Sequence, residues 1–131
     1  MSASNSNYLL SGLTLPVGTT SDIQITDGVI TAVGKSLPKQ SADQVIDFKS
    51  SVVLPGLVDL HTHLREPGKE DAETVLSGSM AAAKGGFVAI SAMANTSPVA
   101  DTAGVVEQVY ALGQSAGFVD VFPIGAVTQG L

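Results

Sequence analysis

The feature that most constrains this chain is a change of rhythm at Pro55-Gly56. Before it, short apolar stretches alternate with polar residues at the two-residue period of strands. The clearest is Ile23-Gln24-Ile25-Thr26, then Asp27-Gly28, then Val29-Ile30-Thr31-Ala32-Val33, which predicts a hairpin around a two-residue turn. Leu37 to Asp43 reads as a polar loop containing Pro38, and Val45–Phe48 and Val52–Leu54 as further short strands. After Pro55-Gly56 the period alternates between strand and helix. Leu57–His63 is an apolar strand, Asp71–Lys84 carries Ala72, Val75, Leu76, Met80 and Ala83 at helical spacing, and Gly85-Gly86 stops that helix. Phe87–Met93 reads as a strand buried on both faces, Thr102–Gln114 as a second helix ended by Gly117, and Val119–Ile124 as a third strand. The expected class is therefore α/β, with a parallel sheet and right-handed crossovers after a β-only opening. Periodicity alone leaves a (β/α)₈ barrel and an open doubly wound sheet equally available. The expected organisation is a disordered tail at 1–7, a β region at 8–55 and a βα region at 56–131.

Composition narrows the function. With 44% hydrophobic and 14% charged residues, a folded core is expected. A net charge of -6 would repel a phosphate backbone or an anionic lipid face, so neither nucleic acid nor membrane is an expected partner. There is no cysteine, so any metal must be held by histidines and carboxylates, as suits a cytoplasmic protein. Residues 1–10 carry no basic stretch and no long apolar core, so no secretory signal is expected, and no apolar run reaches spanning length.

Chemistry concentrates in Gly56-Leu57-Val58-Asp59-Leu60-His61-Thr62-His63-Leu64-Arg65-Glu66-Pro67-Gly68. Strand alternation predicts that Asp59, His61 and His63 share one face, which brings two imidazoles together at the carboxyl end of a buried strand. Active sites of α/β sheets and barrels sit at that end, and a pair of imidazoles there suits a divalent cation. Zinc fits best; manganese, cobalt and iron remain open. Asp59 is expected to orient a ligand histidine from behind or to fix the turn. Arg65 offers a planar fork of donors for a carboxylate, against the plainer alternative of a surface ion pair with Glu66. Asn95, in Asn-Thr-Ser-Pro after the second strand, would face the same mouth of the sheet or simply form a turn.

These blocks, together with Ala81-Ala82-Ala83-Lys84-Gly85-Gly86-Phe87 and Met93-Ala94-Asn95-Thr96-Ser97-Pro98, resemble the amidohydrolase superfamily in its dihydroorotase, allantoinase and hydantoinase branch. The resemblance runs along essentially the whole chain. Met-Ala-Asn-Thr departs from the Met-Pro-Asn-Thr common in dihydroorotases and leaves the Asn in place. The resemblance implies a small β-sandwich segment followed by the first strands and helices of a TIM-like barrel. It implies one or two zinc ions held partly by His61 and His63, and a substrate carboxylate held by Arg65 and Asn95. The implied reaction is reversible hydrolysis of dihydroorotate to N-carbamoyl-L-aspartate in pyrimidine biosynthesis. The alternatives are an allantoinase or hydantoinase, and a non-catalytic chain that scaffolds aspartate transcarbamoylase; self-association is a further expected partnership. Gly56 to Leu131 is only 76 residues, whereas such a barrel takes about 250. The general acid/base is therefore expected beyond Leu131, and these 131 residues alone are expected to be inactive.

Overall fold

The computed structural model describes residues 7–41, 43–49 and 51–130 and divides the chain into two compact units, Met1–Pro55 and Gly56–Leu131. Residues 1–6 of the expected tail lie outside the described residues. Asn7, also assigned to that tail, instead opens the first strand.

The first unit is a four-stranded sheet in the order β3-β2-β1-β4, formed by β1 (Asn7–Thr14), β2 (Thr20–Thr26), β3 (Val29–Gly34) and β4 (Asp43–Asp47). β1/β2 and β2/β3 pair antiparallel, and β1/β4 parallel. The predicted hairpin forms: Thr26 pairs with Val29, and Asp27 and Gly28 turn the chain with φ of 52° and 77°. Both are positive, as the primed two-residue turn that matches strand twist requires. Leu13 and Ile23 are buried on one face, and Leu9, paired with Gln24, on the other. Val52–Leu54 forms no strand of its own: Val52 makes an isolated parallel bridge to Thr14, where the Val53 amide donates to Thr14 O.

The second unit is a parallel sheet in the order β5-β6-β7, from β5 (Leu57–Thr62), β6 (Phe87–Ala92) and β7 (Asp120–Pro123). Helices α1 (Val75–Lys84) and α2 (Ala103–Ala116) form the crossovers, and their buried residues Val75 and Val109 join Leu64, Ile90, Ala92, Val119 and Val121 in one core. β6 is not buried on both faces as its apolar run suggested: Ile90 and Ala92 are buried, while Ala89 and Ser91 are half-buried and Val88 is exposed.

Helix α1 starts four residues later than the apolar spacing indicated. The amides of Ala72 and Glu73 turn back to Lys69 O, and the helix is set by Thr74, whose hydroxyl accepts from the Ser77 amide while Ser77 Oγ accepts from the Thr74 amide. The buried stripe also differs. Val75 and Ser79 are fully buried, whereas Leu76 and Met80 are half exposed at 51% and 50%. Ser79 is tolerated there because its hydroxyl donates to Val75 O. At the end of α2, Gly113 lies so close to β7 that a Cβ would stand 2.5 Å from Val121 Cβ, so a bare backbone is what lets helix and sheet meet.

Among the described residues no helix is long and apolar enough to cross a membrane.

Candidate active site

The strand alternation that groups Asp59 with both histidines is interrupted. β5 pairs Asp59 with Ile90 and Thr62 with Ala92, and the register shifts between them. Three steps on β5 thus match two on β6, which puts Asp59 and Thr62 on the same side as the buried residues Ile90 and Ala92. The two residues accordingly line one cavity of about 290 Å³ together with His63, Leu64, Glu73 and Ile90. Thr62 Oγ1 donates to Ser91 O at 2.9 Å, tying β5 to β6 at its carboxyl end. Asp59 Oδ1 accepts from the backbone amide of His61 at 2.9 Å. The carboxylate therefore holds the backbone of His61.

The imidazoles do come together. The His61 and His63 ring centroids lie 5.2 Å apart at an interplanar angle of 66°, edge to face, and both side chains are exposed at the strand end. His63 Nδ1 lies 2.8 Å from Asn95 Oδ1. An amide oxygen only accepts, so in this orientation of Asn95 the bond is made by the tautomer with its proton on Nδ1, in which Nε2 keeps its lone pair. That is the tautomer a metal-ligating histidine needs. As a test of fit, the donor set supplies two imidazoles for a cation. Among the described residues no group of three or more His, Asp or Glu side chains stands close enough to hold one, while catalytic zinc ordinarily takes three protein ligands.

Arg65 follows directly, and its backbone is unusual. Its φ is 62°, and the Glu66 amide donates across it to Leu64 O at 2.8 Å, closing a three-residue turn of the strained, left-handed kind. No ion pair joins Arg65 to Glu66; the pair found among the described residues is Lys49–Asp47 in the first unit. Glu66 Oε2 instead accepts from the amide of Val75, the first residue of α1, at 2.7 Å. That amide is one of the helix's unpaired N-terminal donors, and a carboxylate there also meets the positive end of the helix dipole.

Asn95 sits in the loop after β6, half-buried, and this loop is joined to the one that carries Arg65. The Ser97 amide donates to Pro67 O at 2.9 Å, and a Cβ on Gly68 would collide with the carbonyl oxygen and Cβ of Ser97. Gly68 has a φ of 100°. Its amide donates to Glu70 Oε1 at 2.7 Å, which holds the Glu70 carboxyl below the ordinary glutamate range. Sequence reasoning brought out His61, His63, Arg65 and Asn95 but read Glu66 only as an ion-pair partner of Arg65 and passed over the Gly68–Ser97 contact. The signal available was the unbroken Arg-Glu-Pro-Gly run behind the histidines.

Comparison with known proteins gives a consistent picture. A family profile described as dihydro-orotase-like matches residues 50–130. The chain is 57% identical over 126 residues to a dihydroorotase of Streptomyces coelicolor, a match that covers 96% of this chain and 29% of the relative. It is 54% identical over 110 residues to a dihydroorotase of Mycobacterium tuberculosis, covering 84% and 26%. The chain thus spans under a third of the length of these curated relatives. Among solved structures, an L-hydantoinase from Arthrobacter aurescens superposes with a TM-score of 0.77 at 23% identity, over 92% of this chain and 28% of that one. A D-hydantoinase superposes with a TM-score of 0.63 at 25% identity, over 94% and 28%. The fold class is therefore α/β, the opening strands and helices of a TIM-like barrel preceded by a small β-sandwich segment, as the sequence implied.

Proposed function

From the premise that the chain belongs to the dihydro-orotase-like family, we propose that it contributes the first metal-binding strand and the substrate-carboxylate loops of a dihydroorotase. The reaction is the reversible hydrolysis of the ring amide of dihydroorotate, in which water adds at the carbonyl, the ring C–N bond breaks and N-carbamoyl-L-aspartate results. It belongs to pyrimidine biosynthesis, and the cysteine-free composition suits the cytoplasm. The observation that carries the reading is the edge-to-face pair His61 and His63 at the carboxyl end of β5, with Asn95 bonded to His63.

His61 and His63 would hold a divalent cation, zinc by preference, in a site of one or two ions. The cation, when bound, supplies Lewis-acid activation of the amide. Asp59 holds the His61 backbone, and Asn95 Oδ1 holds the His63 ring with Nε2 directed away from that bond. With its oxygen engaged by His63, the Asn95 amide group keeps its two N–H donors for the substrate carboxylate, and Arg65 supplies a charged fork for the same group. Gripping the carboxylate from two loops stops the ring from turning, so its amide is presented in one orientation. Proton transfer needs a further acid/base group, which this reading assigns to a later barrel strand of the complete enzyme. The match to under a third of the relatives' length supports that assignment. Association with further copies or with aspartate transcarbamoylase belongs to the same reading and is checked by co-purification.

The test is made on the full-length gene product: its zinc content and its turnover of dihydroorotate, hydantoin and allantoin. The expected result is bound zinc, preference for dihydroorotate, and loss of both metal and turnover in His61→Ala. Preference for hydantoin or allantoin would move the assignment to another branch, and a metal-free protein without turnover would sink it.

A further inference from the structure

Resting on the reading of Arg65 as a substrate ligand, we infer that Glu66 is a positioning residue that keeps the Arg65 turn in its left-handed form by clamping it to the first amide of α1. Arg65 gains nothing locally from a φ of 62°, because a long side chain in that region crowds its own backbone. Such a conformation persists only where its surroundings over-determine it. Four contacts do so. Leu64 is buried in the core, anchoring the residue before the turn. The Glu66 amide closes the turn on Leu64 O, and the Lys69 amide donates to Arg65 O at 3.0 Å. The Glu66 carboxylate bonds Val75 N at 2.7 Å, nine residues downstream.

The last contact differs from the others. Backbone bonds within 64–69 can slip together with the loop, whereas Val75 is fully buried and its helix is packed into the core. Glu66 therefore references the loop to a rigid element, and its bond is of the charge-assisted kind. The far side of the loop rests on Ser97 through Pro67 O and Gly68, so the segment preceding Gly68 is held between α1 and the loop of Asn95. The Glu66 carboxylate is engaged by Val75 N and makes no hydrogen bond to His61, His63 or Arg65 among the described residues. Its effect reaches the substrate only through Arg65, which grips the carboxylate equally before and during the reaction. Loss of such uniform binding raises KM and leaves kcat in place.

The experiment compares Glu66→Ala and Glu66→Gln in the full-length, metal-loaded protein. Glu66→Ala should raise KM for dihydroorotate about tenfold with kcat within about twofold, at unchanged zinc content. Glu66→Gln should recover most of the loss, since its amide oxygen still accepts from Val75 N. An unchanged KM in Glu66→Ala, or a fall in kcat alone, overturns the inference while leaving the proposed reaction standing. If the wild type does not turn over dihydroorotate, the reaction is wrong and amide exchange decides the clamp. Faster exchange at Glu66 and Lys69 in Glu66→Ala supports it, and unaltered exchange overturns it.

Discussion

The two units use the same backbone conformation for opposite ends. In the first, positive φ falls at Asp27, Gly28 and Ser36, small or short polar residues, and at Gly12 and Gly18; in the Asp27-Gly28 turn it reverses the chain at little cost. In the second it falls at Gly86, Gly117 and Gly130, where no other element presses on it, but also on Arg65, beside two histidines, and on Gly68, pressed against Ser97. The Asp27-Gly28 turn answers to its own strand pair; Arg65 and Gly68 answer to a neighbouring loop and a helix end. The contrast teaches that left-handed backbone is a local device where nothing else depends on it, and a tertiary one where side chains must be aimed.

The largest test of that contrast is a pair of matched substitutions. Gly68→Ala combines a left-handed Cβ with a collision against Ser97 and should cost about 4 kcal/mol in denaturant unfolding. Gly28→Ala has the same sign of φ but open space around it, and should cost only about 1 kcal/mol. Equal costs would show that the loop gives way and that Ser97 is no barrier.

A smaller difference is expected between the cores. Val75→Ala removes two methyl groups from a fully buried site and should cost about 2.5 kcal/mol by the same measurement. In the first unit the buried pair is polar: Gln24 Nε2 donates to Asp43 Oδ2 at 3.0 Å, and Asp43 Oδ1 is buried without a partner. Gln24→Ala leaves that carboxylate, among the described residues, with the Gln40 amide and should cost about 2 kcal/mol. A negligible cost would mean that water takes the place of Gln24.

The smallest effect is on pH. The Gly68 amide lowers the Glu70 carboxyl in the folded protein, so its contribution is present above the ordinary glutamate pKa of about 4.3 and is lost as pH falls through the lower folded value. Side-chain carboxyl NMR should place the Glu70 midpoint below that of an unfolded glutamate, and Gly68→Ala should return it. The exposed Asp47, lowered first by its bond to Lys49, titrates in the same direction and should ignore that substitution.

What could be read in advance follows the range of the forces involved. The Asp27-Gly28 hairpin was legible because its pairing and its turn lie within a dozen residues. So was the meeting of His61 and His63, since a two-residue spacing at a strand end needs no distant partner. The face of Asp59 was not legible, because the register shift depends on how β6 pairs. The α1 stripe was misread because Ser79 is buried and Leu76 exposed, a choice made by the neighbouring elements. Glu66 was read only as a possible ion-pair partner of Arg65: its partner amide lies nine residues on, at a helix start that apolar spacing put at Asp71.

The seam between Pro67-Gly68 and Ser97 has a consequence for anyone recombining chains of this family. Segments 64–69 and 94–98 share one backbone surface, with the oxygen of one filling the space that a side chain of the other would need. A chimera that imports only one of them would inherit a mismatched joint, so these two loops are exchangeable only as a cassette of two.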